Sequence, residues 1–115
     1  MDLHVDGAYS SNTPDTVQYS YVLGCKKYNG SCPSNGSNQV QGELMAVVEG
    51  LREAYRQGYR EVTVCFDYQG IRDWAIGAWK AKQPMTQQYV TIVKKAMEHM
   101  KIEFKYVGHF GNKAH

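Results

Sequence analysis

Several segments of the chain alternate apolar and polar residues with the two-residue period of a strand. In TVQYSYVLG (16–24), Val17, Tyr19, Tyr21 and Leu23 share one face. In EVTVCFD (61–67), Val62, Val64 and Phe66 alternate with Thr63, Cys65 and Asp67. KIEFKYV (101–107) repeats the pattern near the end. A shorter run at 2–6 opens the chain as a strand. It pairs antiparallel with the next strand across a loop of Asn12, Thr13, Pro14 and Asp15.

Helical periodicity takes over in GELMAVVEGLREAYRQG (42–58). Leu44, Val47, Val48, Leu51 and Tyr55 recur at helical spacing, and Gly58 is a C-terminal stop. Gly50 inside that run is a weak spot or a point of close packing. YQGIRDWAIGAWKAK (68–82) predicts a short helix ending near Gly77. Pro84 opens a further helix, with Met85, Tyr89, Ile92, Val93, Ala96, Met97 and Met100 as its buried stripe.

The segment CKKYNGSCPSNGSNQ (25–39) is the least regular. Asn29-Gly30 favours a hairpin turn, and Pro33 with the Ser/Asn/Gly run confines any third strand to a short edge position. The resulting order is strand, strand, weak strand, helix, strand, helices, strand. It predicts an α/β fold: a five-stranded mixed sheet flanked by helices, the third strand short.

The 115 residues suffice for one domain with a buried core. Apolar residues make up 43% and charged residues 21%, as in soluble globular proteins. No apolar run approaches the roughly 20 residues of a membrane span, and the N-terminus lacks a signal-peptide pattern. Cys25, Cys32 and Cys65 contain no CxxC pair. Cys65 reads as a buried thiol, and a local Cys25–Cys32 disulfide is possible but disfavoured without secretion signals. The expected compartment is reducing and cytoplasmic. A net charge of +2 does not mark a strongly basic nucleic-acid binder. Lysines nevertheless gather late, at Lys80, Lys82, Lys94, Lys95, Lys101, Lys105 and Lys113.

The stretch LHVDGAYSS (3–11) delivers Asp6 at the end of an apolar run, and Asp67 ends the strand after the long helix. A right-handed crossover through that helix sets the two strands parallel and adjacent, so both aspartates emerge at one sheet edge. Glu43, expected in the helix's first turn, can aim at the same spot. Three converging carboxylates repel unless a cation compensates them. Oxygen ligands suit Mg²⁺ or Mn²⁺, and two such ions roughly 3.5–4 Å apart serve in-line displacement at phosphorus. Each acid alone has an ordinary explanation as a turn residue, a macrodipole partner or a helix cap.

HVDGAYS, GELMAVVEGL, CFDYQGIRDWAIGAWKAK and the closing KYVGHFGNKAH together resemble the type 1 ribonucleases H, especially their bacterial branch. The resemblance runs over nearly the whole chain in the right order. It implies Mg²⁺-dependent endonucleolytic cleavage, with Mn²⁺ as substitute, of the RNA strand of an RNA–DNA hybrid. The products would carry 5′-phosphate and 3′-hydroxyl ends. Asp6, Glu43 and Asp67 fall on three of the family's four metal-binding acids. His109 falls on a loop histidine linked to proton transfer or product release. Gly7 and Gln69 match contacts to the hybrid's minor groove, and Gln39 and Asn12 lie near others. Trp79 with Lys80 resembles the contact to the DNA strand. Trp74 reads as core packing.

Two departures stand out. The basic insertion of some members is missing, so WKAKQPMTQQY runs straight into the next helix and hybrid binding must rest on a patch around Lys80 and Lys82. The family's fourth acid and final helix would follow the histidine loop, and the sequence stops at His115. The expectation is a ribonuclease H-like domain over 1–115, C-terminally incomplete, with reduced or more metal-dependent activity. The alternatives are a non-catalytic hybrid-binding domain, or a related fold acting on other nucleic acids as in integrases and resolvases.

Overall fold

The long amphipathic segment joins two differently built halves of one sheet. The computed structural model describes residues 1–9, 15–34 and 38–108. Among these the chain forms β1 (Asp2–Tyr9), β2 (Thr16–Leu23), β3 (Lys26–Pro33), α1 (Asn38–Arg56), β4 (Glu61–Phe66), α2 (Gly70–Ala75), α3 (Pro84–Met97) and β5 (Lys101–Tyr106). The sheet order is β3-β2-β1-β4-β5. The first three strands form an antiparallel meander. Beyond it β4 joins β1 in parallel and β5 joins β4 in parallel. This is the expected five-stranded mixed sheet. No helix of the described residues is long and apolar enough to cross a membrane.

The expectation for the third strand is corrected. β3 is eight residues long, as long as β1 and β2. Asn29 and Gly30 lie inside it, opposite Ser20 and Tyr19. Gly30 is required for space: a Cβ there would lie 2.4 Å from the Tyr19 ring. The reversal falls instead at Gly24–Cys25, between the Leu23↔Lys26 pair, with Gly24 at φ 66°. Two-residue hairpins take primed turns that need this left-handed value. Pro33 occupies the last position of an edge strand, where its missing N–H costs nothing. Cys25 in the turn and Cys32 near the far end are about 20 Å apart along an extended strand, so they cannot bridge. All three cysteines are free thiols.

The core lies between the sheet and α1 and α3. Leu3, Val5, Val64 and Phe66 pack with Leu44, Val47, Leu51, Tyr89 and Val93, all at most 3% exposed. A Cβ on Gly50 would lie 2.6 Å from a Leu3 methyl, which settles this glycine as a point of close packing. Two members of the predicted stripes do not join the core. Tyr55 is 45% exposed and lies under the Arg60 guanidinium, 4.1 Å from its ring centroid. Met97 is exposed, whereas Met100, past the helix end, is buried.

Helix α3 begins with Pro84 in its first turn, as expected. The buried Tyr89 hydroxyl donates to the Ile71 carbonyl at 2.7 Å, tying α3 to α2. That bond anchors α2, which carries Trp74; Trp79 follows, its amide donating to the Asp73 carbonyl of α2 at 2.9 Å.

Candidate active site

Strand β1 does not end at Asp6. It continues to Tyr9, and Asp6 pairs with Ser20 of β2. Its parallel pairing with β4 stops at His4↔Cys65. Beyond that rung β4 ends at Phe66 and Asp67 follows. Asp6 and Asp67 each lie two residues past the last paired rung, at the carboxyl end of the β1–β4 pair. The expectation of a shared edge therefore holds, although the cause is the end of the pairing rather than the end of β1.

Glu43 is not in the first turn of its helix. Helix α1 starts at Asn38, and its first turn carries no acid. Gln39 and Val40 extend the helix toward the sheet edge and leave Glu43 in the second turn, over β1. Two glycines allow this approach. A Cβ on Gly7 would lie 2.5 Å from the Gln39 carbonyl oxygen and 2.6 Å from the Glu43 nitrogen. A Cβ on Gly42 would lie 2.8 Å from the Gln18 carbonyl oxygen and 2.9 Å from the Gly7 Cα. Backbone thus rests on backbone, and the residue after Gly42 is brought down to the residue before Gly7. The sequence reading missed Gly42 as a site-building residue. The available signal was a glycine in a helix beside an Asp-Gly strand.

Glu43 is 4% exposed, and its Oε2 has no hydrogen-bond partner among the described residues. Burial, then the charges of Asp6 and Asp67, push its carboxyl up to about 8. Both neighbouring charges act on it, so the three acids form one electrostatic cluster. Asp6 and Asp67 are half-buried, and the Gly7 amide donates to Asp6 Oδ1 at 3.0 Å. A buried carboxylate oxygen with no donor among the described residues, in the field of two further carboxylates, has the donor chemistry that suits a hard divalent cation. The ligand oxygens of these three carboxyls do not already all lie within 4.8 Å of one another, so they would draw together to share one ion. Asp6, Glu43 and Asp67 would hold it.

Two open grooves are lined by candidate substrate residues. One, of about 380 Å³, runs from Asp6 across β2 and β3 past Gln18, Ser20, Asn29 and Ser31. Another, of about 390 Å³, is lined by Val40, Tyr68, Trp74, Lys80, Lys82 and Met85, among others. Trp79 stands beside it. Its ring meets Trp74 edge-on at 5.5 Å and Tyr68 at 6.3 Å, and Tyr68 lies 5.9 Å from Trp74. Gly70 makes room for the cluster, since a Cβ there would lie 2.4 Å from the Tyr68 ring. Trp74 is half-buried against the core, while Trp79 is 39% exposed.

The other expected contacts are placed as follows. Gly7 is buried beneath α1. Gln39 is exposed in the first turn of α1. Gln69 is exposed at the start of α2, where its carbonyl accepts from the amides of Arg72 and Asp73. Lys80 is exposed at the second groove. Asn12 and His109 lie outside the described residues.

A sheet ordered β3-β2-β1-β4-β5, antiparallel and then parallel, with acids at the end of its central parallel pair, defines the ribonuclease H-like class of fold. The chain belongs to the family described as reverse transcriptase-like, whose model matches residues 21–114, and its fold is that of the type 1 ribonucleases H. Solved structures repeat the fold. Ribonuclease H1 from the halophilic archaeon Halobacterium salinarum superposes with a TM-score of 0.79 at 16% identity, over 98% of this chain and 89% of that one. The N-terminal ribonuclease H domain of Rv2228c from Mycobacterium tuberculosis gives 0.82 at 18%, over 96% and 84%. LC11-RNase H1, solved in complex with an RNA/DNA hybrid, gives 0.71 at 16%, over 97% and 88%. No curated protein matches the chain.

Proposed function

We propose that this protein is a divalent-metal-dependent endonuclease that hydrolyses the RNA strand of RNA–DNA hybrids, leaving 5′-phosphate and 3′-hydroxyl ends. The observation that carries the reading is Glu43: a buried carboxylate with one oxygen unpartnered among the described residues, raised in pKa by burial and by the charges of Asp6 and Asp67. Such a group either takes up a proton, as its raised pKa allows, or is compensated by a cation.

Asp6, Glu43 and Asp67 are the proposed ligands, with Mg²⁺ as the physiological ion and Mn²⁺ as substitute. When bound, two such ions supply an acidified water and neutralise charge developing at the scissile phosphate. The chain's own residues do the positioning. Gly7 and Gly42 set the height of Glu43 over β1. Gln39 and Gln69, exposed at the N-terminal turns of α1 and α2, offer amides that can hydrogen-bond a 2′-hydroxyl, the group that tells RNA from DNA. Gly7 and Asn12 belong to the same proposed contact set. Trp79, braced by Tyr68 and Trp74, offers a ring face to a sugar, and Lys80 offers a cation to the adjacent phosphate. His109 is the proposed proton carrier, a role suited to an imidazole with an ordinary pKa of about 6.5.

The test uses an end-labelled RNA–DNA hybrid, the matching duplex DNA and the single-stranded RNA, each with Mg²⁺. The expected result is cutting of the hybrid's RNA strand alone, abolished by Asp67→Asn without loss of the folded circular-dichroism spectrum. Hybrid binding without cleavage in either Mg²⁺ or Mn²⁺ would favour a binding domain instead. Equal cutting of duplex DNA would reject hybrid specificity.

A further inference from the structure

One rung below the acid cluster, strands β1 and β4 bring together ligands of a different chemistry. His4 and Cys65 are direct partners in the parallel ladder, and Asp2 precedes His4 by two residues on the same face. Their ligand atoms, one per residue, lie within 4.8 Å of one another. His4 is 5% exposed and Cys65 2%, whereas Asp2 is exposed. We propose that Asp2, His4 and Cys65 form a second metal site, selective for a borderline or soft divalent cation such as Zn²⁺.

The donor set decides the ion. An imidazole nitrogen, a thiolate sulfur and a carboxylate oxygen suit tetrahedral Zn²⁺ or Co²⁺, and a thiolate repels the hard-ion preference of Mg²⁺. The acid cluster, all oxygen, has the opposite preference. Tetrahedral bonds of about 2.0–2.3 Å need ligand atoms roughly 3.3–3.8 Å apart, so each side chain must close by less than about 1 Å. Strand neighbours are suitable scaffolds, because the β1–β4 ladder fixes all three Cα positions, Asp2 opposite Thr63 and His4 opposite Cys65.

Charge favours the same ion. A thiolate and a carboxylate cancel a dication, and a neutral cluster is the form a buried site tolerates. The Cys65 thiol donates weakly to the Thr63 carbonyl at 3.8 Å, a contact it gives up on metallation. Its proton passes to solvent as the sulfur–metal bond forms. Exposed Asp2 provides the entry side, and water completes the fourth position. The site rests on these three residues alone and stands whether or not the acid cluster cuts hybrids.

The experiment is a Co²⁺ titration of the intact protein in excess Mg²⁺, read by thiolate-to-cobalt charge-transfer absorption and tetrahedral ligand-field bands. The expected result is a saturable one-to-one signal. It is retained in Asp67→Asn and in a Cys25→Ser/Cys32→Ser double variant, and lost in Cys65→Ser. Because Cys65 is buried and its variant can lose the fold, Asp2→Ala provides the second arm. Asp2 is exposed, and its removal is expected to weaken Co²⁺ on the order of tenfold or more. Absence of the thiolate band from folded wild-type protein would overturn the site. So would its loss in Asp67→Asn or the double variant, or an affinity unchanged by Asp2→Ala.

Discussion

Glu43 shows how a single side chain can oppose the stability of the fold that holds it. Unfolded, its carboxyl titrates at its ordinary value near 4.5; folded without metal, it titrates at about 8. Between those values the folded state binds more protons than the unfolded state, so stability falls as pH rises through this window. The loss is complete above the folded value and amounts to a few kcal/mol in order of magnitude. In a chelator, the melting temperature of the wild type is expected to drop from pH 5 to pH 9 more steeply than that of Glu43→Gln, and Mg²⁺ should restore much of it at high pH. Parallel melting curves for the two proteins would show that Glu43 carries no such burden. Gly7 makes a complementary prediction. Gly7→Ala drives a methyl into the Gln39 carbonyl and the Glu43 amide, backbone atoms that cannot swing aside. Overpacking of this kind costs about 1–3 kcal/mol. Denaturant unfolding should register it, together with a fall in cleavage as Glu43 is lifted from the aspartates.

At the scale of elements, alternation in the sequence was a faithful guide wherever both faces of a segment meet the protein interior or one is plainly solvated. EVTVCFD and TVQYSYVLG became β4 and β2 with the expected pairings. The third strand was misread because Asn29-Gly30 favours a turn locally, whereas Gly30 answers a tertiary need, clearance for the Tyr19 ring. Helix α1 starts earlier than its apolar stripe, since its first turn is mostly polar: Gln39 is exposed, and the buried Gln41 donates to the Pro33 carbonyl of β3 at 2.7 Å. The three acids were legible as candidates for one sheet edge, although Asp6 lies inside β1 and Glu43 in the second turn of α1. The glycine pair that joins them was not, because a Gly7–Gly42 contact links residues distant in sequence. Linkage between α2 and α3 is equally non-local. Tyr89→Phe removes the hydroxyl that holds the buried Ile71 carbonyl and should cost about 1 kcal/mol. If α2 positions Trp79 and Lys80 through the bond from the Trp79 amide to Asp73, the same variant raises the KM for hybrid more than it lowers kcat. A reverse split would place Tyr89 outside substrate binding.

For the whole molecule, the small net charge of +2 sets the expected strength of nucleic-acid binding. Few lysines line the aromatic groove, Lys80 and Lys82 among them. Hybrid affinity should therefore fall with salt along a shallow slope, one phosphate contact contributing nearly one unit. Lys80→Ala should lower that slope by about one and weaken binding similarly across sequences. An unchanged slope would remove Lys80 from the interface. The central claim remains that Asp6, Glu43 and Asp67, carried by three separate elements, share bound cation. Its most direct test is calorimetric titration of the protein with Mg²⁺ and Mn²⁺, repeated on Asp6→Asn, Glu43→Gln and Asp67→Asn. Saturable binding in the wild type, weakened in each of the three folded variants, is the expected result. Binding that survives all three substitutions, or no binding by the folded wild type, would contradict the account.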